Sequence, residues 1–459
     1  MASRMLHRRL APTPPRRPGR QVKNGPSGRG GVACVDGAAR TERTRTPFRP
    51  GPGGAARSSG RPAAGSALSE PPPTAMRPAH RAPLALTLAS LAVLAGCGVT
   101  QTPFDETLPR YDDRADTVRT VIHVSVDGLR PDAVTRQLRA LPAFARLRAQ
   151  GAFTDNARTT PDFGNTLPNH TSQLTGRVVA GPRGHGWDTN RDPDPDVTLH
   201  SNRGGYVASA FGVASDAGLP TGLYASKSKF ALYDRSYGPD HGAPDTTGAD
   251  DGRDKIDTFV YDGDTGDLVD QFLDDLAEEP GGYHFLHLRD PDTAGHRFGW
   301  RLWGWHPYMR AVRRADRQIG RVLAAIDADP RLAGRTVVVV TADHGGSGHD
   351  HGAPDPAAFT DRHDYTVPFY VWGAGVAPGD LYALNEGSRA DPGDGHPGVA
   401  ARPQPVRNGD AANLALALLG LGPVPGSTIG AEAPLRVRPA APPAGGPAPP
   451  STLTLPPTP

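Results

Sequence analysis

Carboxylates and imidazoles recur in three short stretches of this chain, each just beyond an apolar run. Asp127 follows Val121-Ile122-His123-Val124-Ser125-Val126 and precedes Gly128. Asp343 and His344 follow Thr336 to Val340 and precede two glycines, while Asp292 and His296 follow Tyr283 to Leu288. A neutral imidazole beside an ionised carboxylate is a donor pair suited to Zn²⁺. Adjacent residues ahead of Gly-Gly can turn into one pocket, and residues four apart share one face of a helical turn. Asp127, Asp343 and His344 are expected to hold one cation, and Asp292 and His296 a second that lacks a ligand. His349, His351 and His363 lie downstream in a Gly/Asp-rich loop, and His351 is the favoured third donor. Singly, each motif has a plainer reading, such as Asp127 in a turn or a helix cap.

Two cations roughly 4 Å apart can clamp the attacking and leaving oxygens of a phosphoryl group in line. That chemistry needs a nucleophile between them. Asn165-Thr166-Leu167-Pro168-Asn169-His170 offers the Thr166 hydroxyl at the expected start of a helix, where free N–H groups favour an anion. A coordinated threonine can attack without a histidine base. Its plainer alternative is an ordinary capping threonine.

The elements that must position these residues read as strand and helix in alternation. Strands are expected at Val121 to Val126, Thr221 to Ala225, Tyr283 to Leu288, Thr336 to Val340 and Val367 to Trp372. Helical spacing marks Leu141 to Gln150, Leu167 to Leu174, Val207 to Ala217, Leu268 to Glu278, Tyr308 to Asp327 and Asn408 to Leu419. The unbroken β-branched run at Thr336 to Val340 suits the centre of a parallel sheet. The expected fold is therefore α/β, with a mostly parallel central sheet flanked by helices on both faces. The polar residues collect past the C-terminal ends of its strands, where such sheets place ligands.

The chain has 459 residues with 56 Gly and 50 Pro, and that excess is uneven, gathering in residues 1–75 and again after Pro439. Residues 1–75 hold 14 Lys or Arg and 3 Asp or Glu, leaving 36 basic and 45 acidic residues for the rest. The folding part is acidic, so duplex nucleic acid is excluded as a generic partner. The two cysteines, Cys34 and Cys97, both precede the periodic region, which excludes a disulfide framework within the domain. Met76 opens a segment with Arg77 and Arg81, an apolar stretch from Leu84 to Ala95, and Leu94-Ala95-Gly96-Cys97. That order is a secretory signal, and it resembles a bacterial lipobox with Cys97 as the lipidated residue. The expected organisation is a disordered or untranslated 1–75, a lipoprotein-type signal 76–97, a flexible tether 98–117, a catalytic domain 118–425 and a Pro-rich tail 426–459. The protein is then exported, in the cell envelope or secreted, and meets the membrane only through its lipid anchor.

Asp127-Gly128-Leu129-Arg130, Thr166-Leu167-Pro168-Asn169-His170, Pro291-Asp292 with Gly295-His296, and Asp343-His344-Gly345 occur in the order and spacing of the alkaline phosphatase superfamily. They most resemble its type I phosphodiesterase/nucleotide pyrophosphatase branch, over roughly Val118 to Gly420. The resemblance implies an alkaline phosphatase-like fold, two zinc ions and a Thr166 that is transiently phosphorylated. It further implies that Asn190, in His185-Gly186-Trp187-Asp188-Thr189-Asn190, donates to a phosphoryl oxygen. Two features depart from the branch. The last histidine ligand lacks its usual His-Gly-Tyr context, and no pocket for a nucleobase is evident. Lys227 and Lys229, two of four lysines, are candidates to face the substrate's phosphate. The segment from Arg191 to Gly282 is expected to border the pocket. The function so implied is metal-dependent hydrolysis of a small phosphodiester or pyrophosphate, preferred because no Arg is evident beside Thr166 to neutralise a monoester dianion. Alternatives are a phosphomonoesterase of the same superfamily and a non-catalytic metal- or anion-binding lipoprotein.

Overall fold

Strands with no face toward water need cover on both sides, and four such strands define the centre of this protein. The computed structural model describes residues 118–245, 252–352 and 360–439, so the readings of residues 1–117, Cys97 and the signal segment included, lie outside the described residues. The strands are β1 (Thr120–Val126), β2 (Ala152–Arg158), β3 (Thr221–Ala225), β4 (Thr258–Tyr261), β5 (Gly282–Leu288), β6 (Thr336–Thr341), β7 (Thr366–Gly373) and β8 (Gly379–Asp380). They form one sheet in the order β4-β3-β5-β1-β6-β7-β2-β8. From β4 to β6 all neighbours are parallel; β7 runs antiparallel to both β6 and β2, and β8 is parallel to β2.

Every residue of β1, β3, β5 and β6 is buried. Two groups of helices provide the cover. Pro142–Gln150, Thr265–Glu278 and Asp290–Phe298 pack on the long helix Pro307–Ala328, which buries Val312, Ile319, Val322 and Ile326 at helical spacing. Thr166–Thr175 and Ala210–Asp216 pack on Asp410–Leu418 across the other face. The valines Val337 to Val340 are fully buried, each worth about 1.5–3 kcal/mol relative to exposure. That anchorage lets the strand end hold charged groups out of water.

Register then decides what meets. Val126 lies beside Leu288, Ser125 beside Thr341, and Ala225 beside His287. The residues just past β1, β3, β5 and β6 therefore emerge side by side at one edge of the sheet.

Three differences from the sequence expectation stand out. Strand β2 carries Thr154, Asp155 and Asn156 and shifts register against β7 between Thr154 and Ala157, so it lacks the apolar alternation that marks a strand. The segment 191–282 supplies, besides the expected β3, a strand that was not expected, β4, at the margin of the sheet. Nor does the fold stop at residue 425. Leu435 and Val437 are fully buried, the Ala377 N–H donates to the Val437 carbonyl at 2.8 Å, and Asn413 holds Ser427 and the Ile429 carbonyl. A few buried apolar side chains, Ile429, Leu435 and Val437, suffice to dock that stretch. Among the described residues no helix is long and apolar enough to cross a membrane.

Candidate metal centre

Strand β1 ends at Val126 and Asp127 turns out of it, fully buried. The turn works because Gly128 sits at φ 70°, and because a Cβ there would meet the Asp292 backbone at 2.8 Å. The missing side chain lets the helix Asp290–Phe298 close on the end of β1, with the Asp292 N–H donating to the Asp127 carbonyl at 3.0 Å. Trp300 does comparable work for two other loops. Its ring fills the space that Cβ atoms of Gly295 and Gly346 would occupy, and its Nε1–H donates to the Gly128 carbonyl at 3.0 Å.

Two clusters result. Asp127, Asp343 and His344 are all buried; Asp292, His296 and His351 form the second, with His296 exposed. His349 and His363 stay outside: the first bonds the His296 carbonyl and the second bonds Asp361. Within the first cluster His344 Nε2 lies 3.1 Å from Asp343 Oδ2 and 3.5 Å from Asp127 Oδ1. Within the second, Asp292 Oδ1 lies 3.3 Å from His296 Nε2 and 3.6 Å from His351 Nε2. The edge of a tetrahedron of Zn–N and Zn–O bonds is roughly 3.3 Å. Thr166 Oγ1 lies 3.4 Å from His344 Nε2, at the same spacing. The His344 and His351 rings stack at 3.4 Å between centroids and join the clusters.

The outer hydrogen bonds fix which atoms face inward. Each histidine of the two clusters uses Nδ1 on a backbone carbonyl: His344 on Gly345 at 2.8 Å, His351 on Gly164 at 2.8 Å, His296 on His349 at 3.1 Å. A carbonyl accepts, so Nδ1 carries the proton and Nε2 presents its lone pair to the cluster. The facing oxygens Asp127 Oδ1, Asp292 Oδ1 and Asp343 Oδ2 are buried without a hydrogen-bond donor. Leaving such a group unpaired costs about 1–3 kcal/mol, more for a charge. Cations are the partners that satisfy lone pairs and orphaned carboxylates together, and these residues fit them.

Lys227 emerges from the end of β3 between the clusters. Its Nζ lies 2.6 Å from Asp127 Oδ2, 2.8 Å from Asp292 Oδ2 and 3.5 Å from Thr166 Oγ1. Three buried carboxylates thus face one ammonium. The imbalance shows in their proton affinities. Burial alone would raise the Asp127 carboxyl, but Lys227 and the His287 hydrogen bond hold it well below the usual range. Asp343 is pushed up, by burial and then by the charge of Asp127. His344, which burial would lower, is lifted to about 9 by Asp343 and Asp127, whereas burial and His344 push His351 down to about 3.

Thr166 is the first residue of the helix Thr166–Thr175, all of which is buried. Asn190 Oδ1 accepts from the Leu167 N–H at 3.1 Å and from Lys229 Nζ at 3.3 Å, and Lys229 also donates to the Asn190 carbonyl at 2.6 Å. The Asn190 oxygen is committed, so its Nδ2 donors are what it can offer a ligand beside Thr166. Lys229 holds Asn190, while Lys227 stands beside the nucleophile candidate.

A sequence profile of the type I phosphodiesterase / nucleotide pyrophosphatase family matches residues 121–390, more than half of the chain. The chain belongs to that family. Solved structures similar to this family member include murine ectonucleotide pyrophosphatase/phosphodiesterase 5, at 20% identity over 49% of this chain and 57% of that one, with a TM-score of 0.37. This chain therefore spans little more than half of the murine protein's structure. A lipoteichoic acid synthase from Listeria monocytogenes aligns at 14% identity over 70% of this chain and 76% of that one, with a TM-score of 0.47. A 2-O GAG sulfatase aligns at 13% identity over 57% and 65%, with a TM-score of 0.38. The fold is α/β, one eight-stranded, mostly parallel sheet with helices packed on it.

Several residues of this phosphodiesterase-family site escaped the sequence reading. His287, on β5, donates from Nε2 to Asp127 Oδ2 at 2.9 Å, while its Nδ1 accepts from the Ser226 N–H at 3.3 Å. His170 lies between Ser125 Oγ, 2.9 Å away, and the Thr166 carbonyl, at 2.8 Å. Asn408 ties Asn169 to the Ala342 and Asp343 carbonyls. The His170 contact has a local signal, four residues from Thr166 on one helix; the other two depend on which strands and helices become neighbours.

Proposed function

We propose that this protein hydrolyses phosphodiester or pyrophosphate bonds of nucleotide-like substrates, with two divalent ions, zinc first among candidates, and a phosphothreonine intermediate at Thr166. One observation carries the reading: the three inward Nε2 atoms and three orphaned carboxylate oxygens lie in two clusters, with the Thr166 hydroxyl against one of them. Asp127, Asp343 and His344 would hold one ion, Asp292, His296 and His351 the other. Bound there, such ions would supply Lewis acidity toward the attacking and leaving oxygens.

The side chains account for the rest. Thr166 Oγ gives up its proton to solvent and attacks phosphorus, the ester oxygen departs with its electron pair and takes a proton from water, and water later displaces the threonine from phosphorus, its proton restoring the Thr166 hydroxyl. The Asn190 Nδ2 donors face charge growing on the transferred group. The Lys227 ammonium adds a positive charge within reach of the same oxygens.

Lys227 also favours a second reading. The preference for diesters rested on the lack of a cation beside Thr166, and the structure puts one there from 61 residues away in sequence. Phosphomonoester hydrolysis is therefore a real competitor. Hydrolysis of p-nitrophenyl-TMP and p-nitrophenyl phosphate by zinc-loaded protein, with and without chelator, separates the two, and phosphopeptide mapping after acid quench tests the intermediate. Chelator-sensitive cleavage and phosphate on the Thr166 peptide are expected; no cleavage of either ester sinks the enzymatic reading. Export and lipidation at Cys97 remain part of the proposal on the 76–97 sequence alone, tested by the intact mass of native protein.

A further inference from the structure

The chain holds five tryptophans, and they divide by where the indole N–H goes. Trp187 donates to the Thr189 carbonyl at 2.9 Å, Trp300 to the Gly128 carbonyl at 3.0 Å and Trp372 to Gln150 Oε1 at 3.1 Å. Trp303 and Trp305 have no such acceptor among the described residues, and they stand exposed by 53% and 70%, with Phe298 exposed by 42%. Their loop is tightly held: the Gln137 side chain donates to the Leu302 carbonyl at 3.0 Å, Arg310 to the Trp305 carbonyl at 3.1 Å, and the His306 N–H to the Trp303 carbonyl at 2.8 Å. A held loop that keeps its largest apolar rings in water marks a binding surface.

Charge gives the sign of the partner. Residues 293–315 hold five arginines and no Asp or Glu, and residues 133–154 hold four and none, in a folded region that is otherwise acidic. Gln137 joins the two stretches, since it donates to Leu302 and accepts from Arg313 Nη1 at 3.1 Å. Arg136, Arg139, Arg297, Arg301 and Arg310 are exposed, and among the described residues none of them pairs with a carboxylate. Their neighbours Arg130 and Arg314 do, with Asp132 and Asp290. Free guanidinium groups around apolar rings fit a partner that is anionic at its surface and apolar beneath.

Ring geometry chooses among such partners. Arg301 lies over the Trp303 ring at 5.3 Å, Arg297 lies over Phe298 at 5.1 Å, and the two indoles lie 5.5 Å apart, tilted by 36°. A base would stack on those faces, and here guanidinium groups and the neighbouring indole engage them. The hydroxyls of a sugar would seek acceptors, and neither stretch holds a carboxylate. The indoles instead offer the outside an apolar body with a free N–H, the form that suits the boundary between lipid headgroups and acyl chains. Arginines beside them are drawn to anionic headgroups.

We propose that the loop of Trp303 and Trp305, rimmed by these five arginines, docks the protein on an anionic lipid bilayer with both indoles at headgroup depth. The docking needs neither a lipid at Cys97 nor the reaction proposed above.

Sedimentation with vesicles tests it, using full-length protein that carries Cys97→Ser and so has no attached lipid. This parent protein should bind phosphatidylglycerol vesicles at least about tenfold more tightly than phosphatidylcholine vesicles, and salt should release it. Trp303→Ala/Trp305→Ala should lower the affinity roughly 10- to 100-fold, and Arg297→Gln/Arg301→Gln roughly 10- to 30-fold. Both double variants alter exposed side chains only. A further measurement needs no change to the loop: brominated acyl chains should quench the fluorescence of the bound parent, although Trp187 and Trp300 are buried out of their reach. Absence of binding to phosphatidylglycerol vesicles, undiminished binding by either double variant, or bound protein whose fluorescence the bromines leave unchanged overturns the proposal. So does binding to heparin without binding to vesicles, since the surface then reads a soluble polyanion.

Discussion

The two clusters use the same residue types and differ in their access to water. Asp127, Asp343 and His344 have no exposed side-chain surface, whereas the His296 side chain is 44% exposed beside buried Asp292 and His351. Location explains this. The closed cluster sits on the ends of β1 and β6 at the centre of the sheet; the open one hangs on a helix and a loop that Trp300 wedges together. On the proposed function, the closed cluster would keep the Thr166 nucleophile dry and oriented, and the open one would face whatever must leave.

Thr166→Ala gives the largest expected effect. Turnover should fall by at least about 10³-fold while both ions stay bound, because the six carboxylate and imidazole ligands are untouched although the Thr166 oxygen is lost. Activity near wild type would remove the nucleophile from the closed cluster and erase the distinction. Stepwise chelation is the next test: the ion of the open cluster should leave first, and His296→Ala should hold one ion where wild type holds two. Simultaneous loss would show that the difference in exposure has no energetic meaning.

His287 sharpens the contrast from behind. It donates to Asp127 and to no ligand of the open cluster, so His287→Ala should weaken the closed-cluster ion roughly 10- to 100-fold and leave the other unchanged. Competition with a zinc indicator reads both affinities, and equal weakening would point to general loosening.

The smallest effect concerns the loop that carries His351. Asp364 accepts the Gly352 N–H at 3.2 Å, and its carboxyl is pushed up to about 6, mainly by burial. The folded state holds that proton more tightly than the unfolded chain, so stability declines as pH rises from about 4 to 6 and is flat above. Asp364→Asn keeps an acceptor oxygen without the buried charge. It should add up to about 2 kcal/mol at pH 8 and nothing below pH 4, by denaturant titration of metal-free protein.

What could be read from sequence follows from what is local. The strands β1, β3, β5 and β6 are apolar runs, and Asp127, Asp343, His344, Asp292 and His296 stand just past such runs, beside glycines or four apart. The structure brings these five together with His351 and Thr166. Lys227 was visible as a lysine at a strand end, but its contact with both Asp127 and Asp292 depends on β3 lying next to β5, a topological fact. His287 alternates along a fully buried strand, where nothing in the sequence tells a core imidazole from one that donates to a ligand. Strand β2 and the 426–437 stretch were missed for the opposite reason, the first being too polar and the second too sparse in apolar residues to carry a period.

Elemental analysis of full-length protein and its variants tests the central claim most directly. Two divalent ions per chain are expected in wild type and in Thr166→Ala, one in His296→Ala, and one in Asp343→Asn, with the retained ion in the last two variants differing in its rate of loss to chelator. A wild-type chain that takes up one ion or none after zinc loading, or an Asp343→Asn variant that still holds both, would contradict the account.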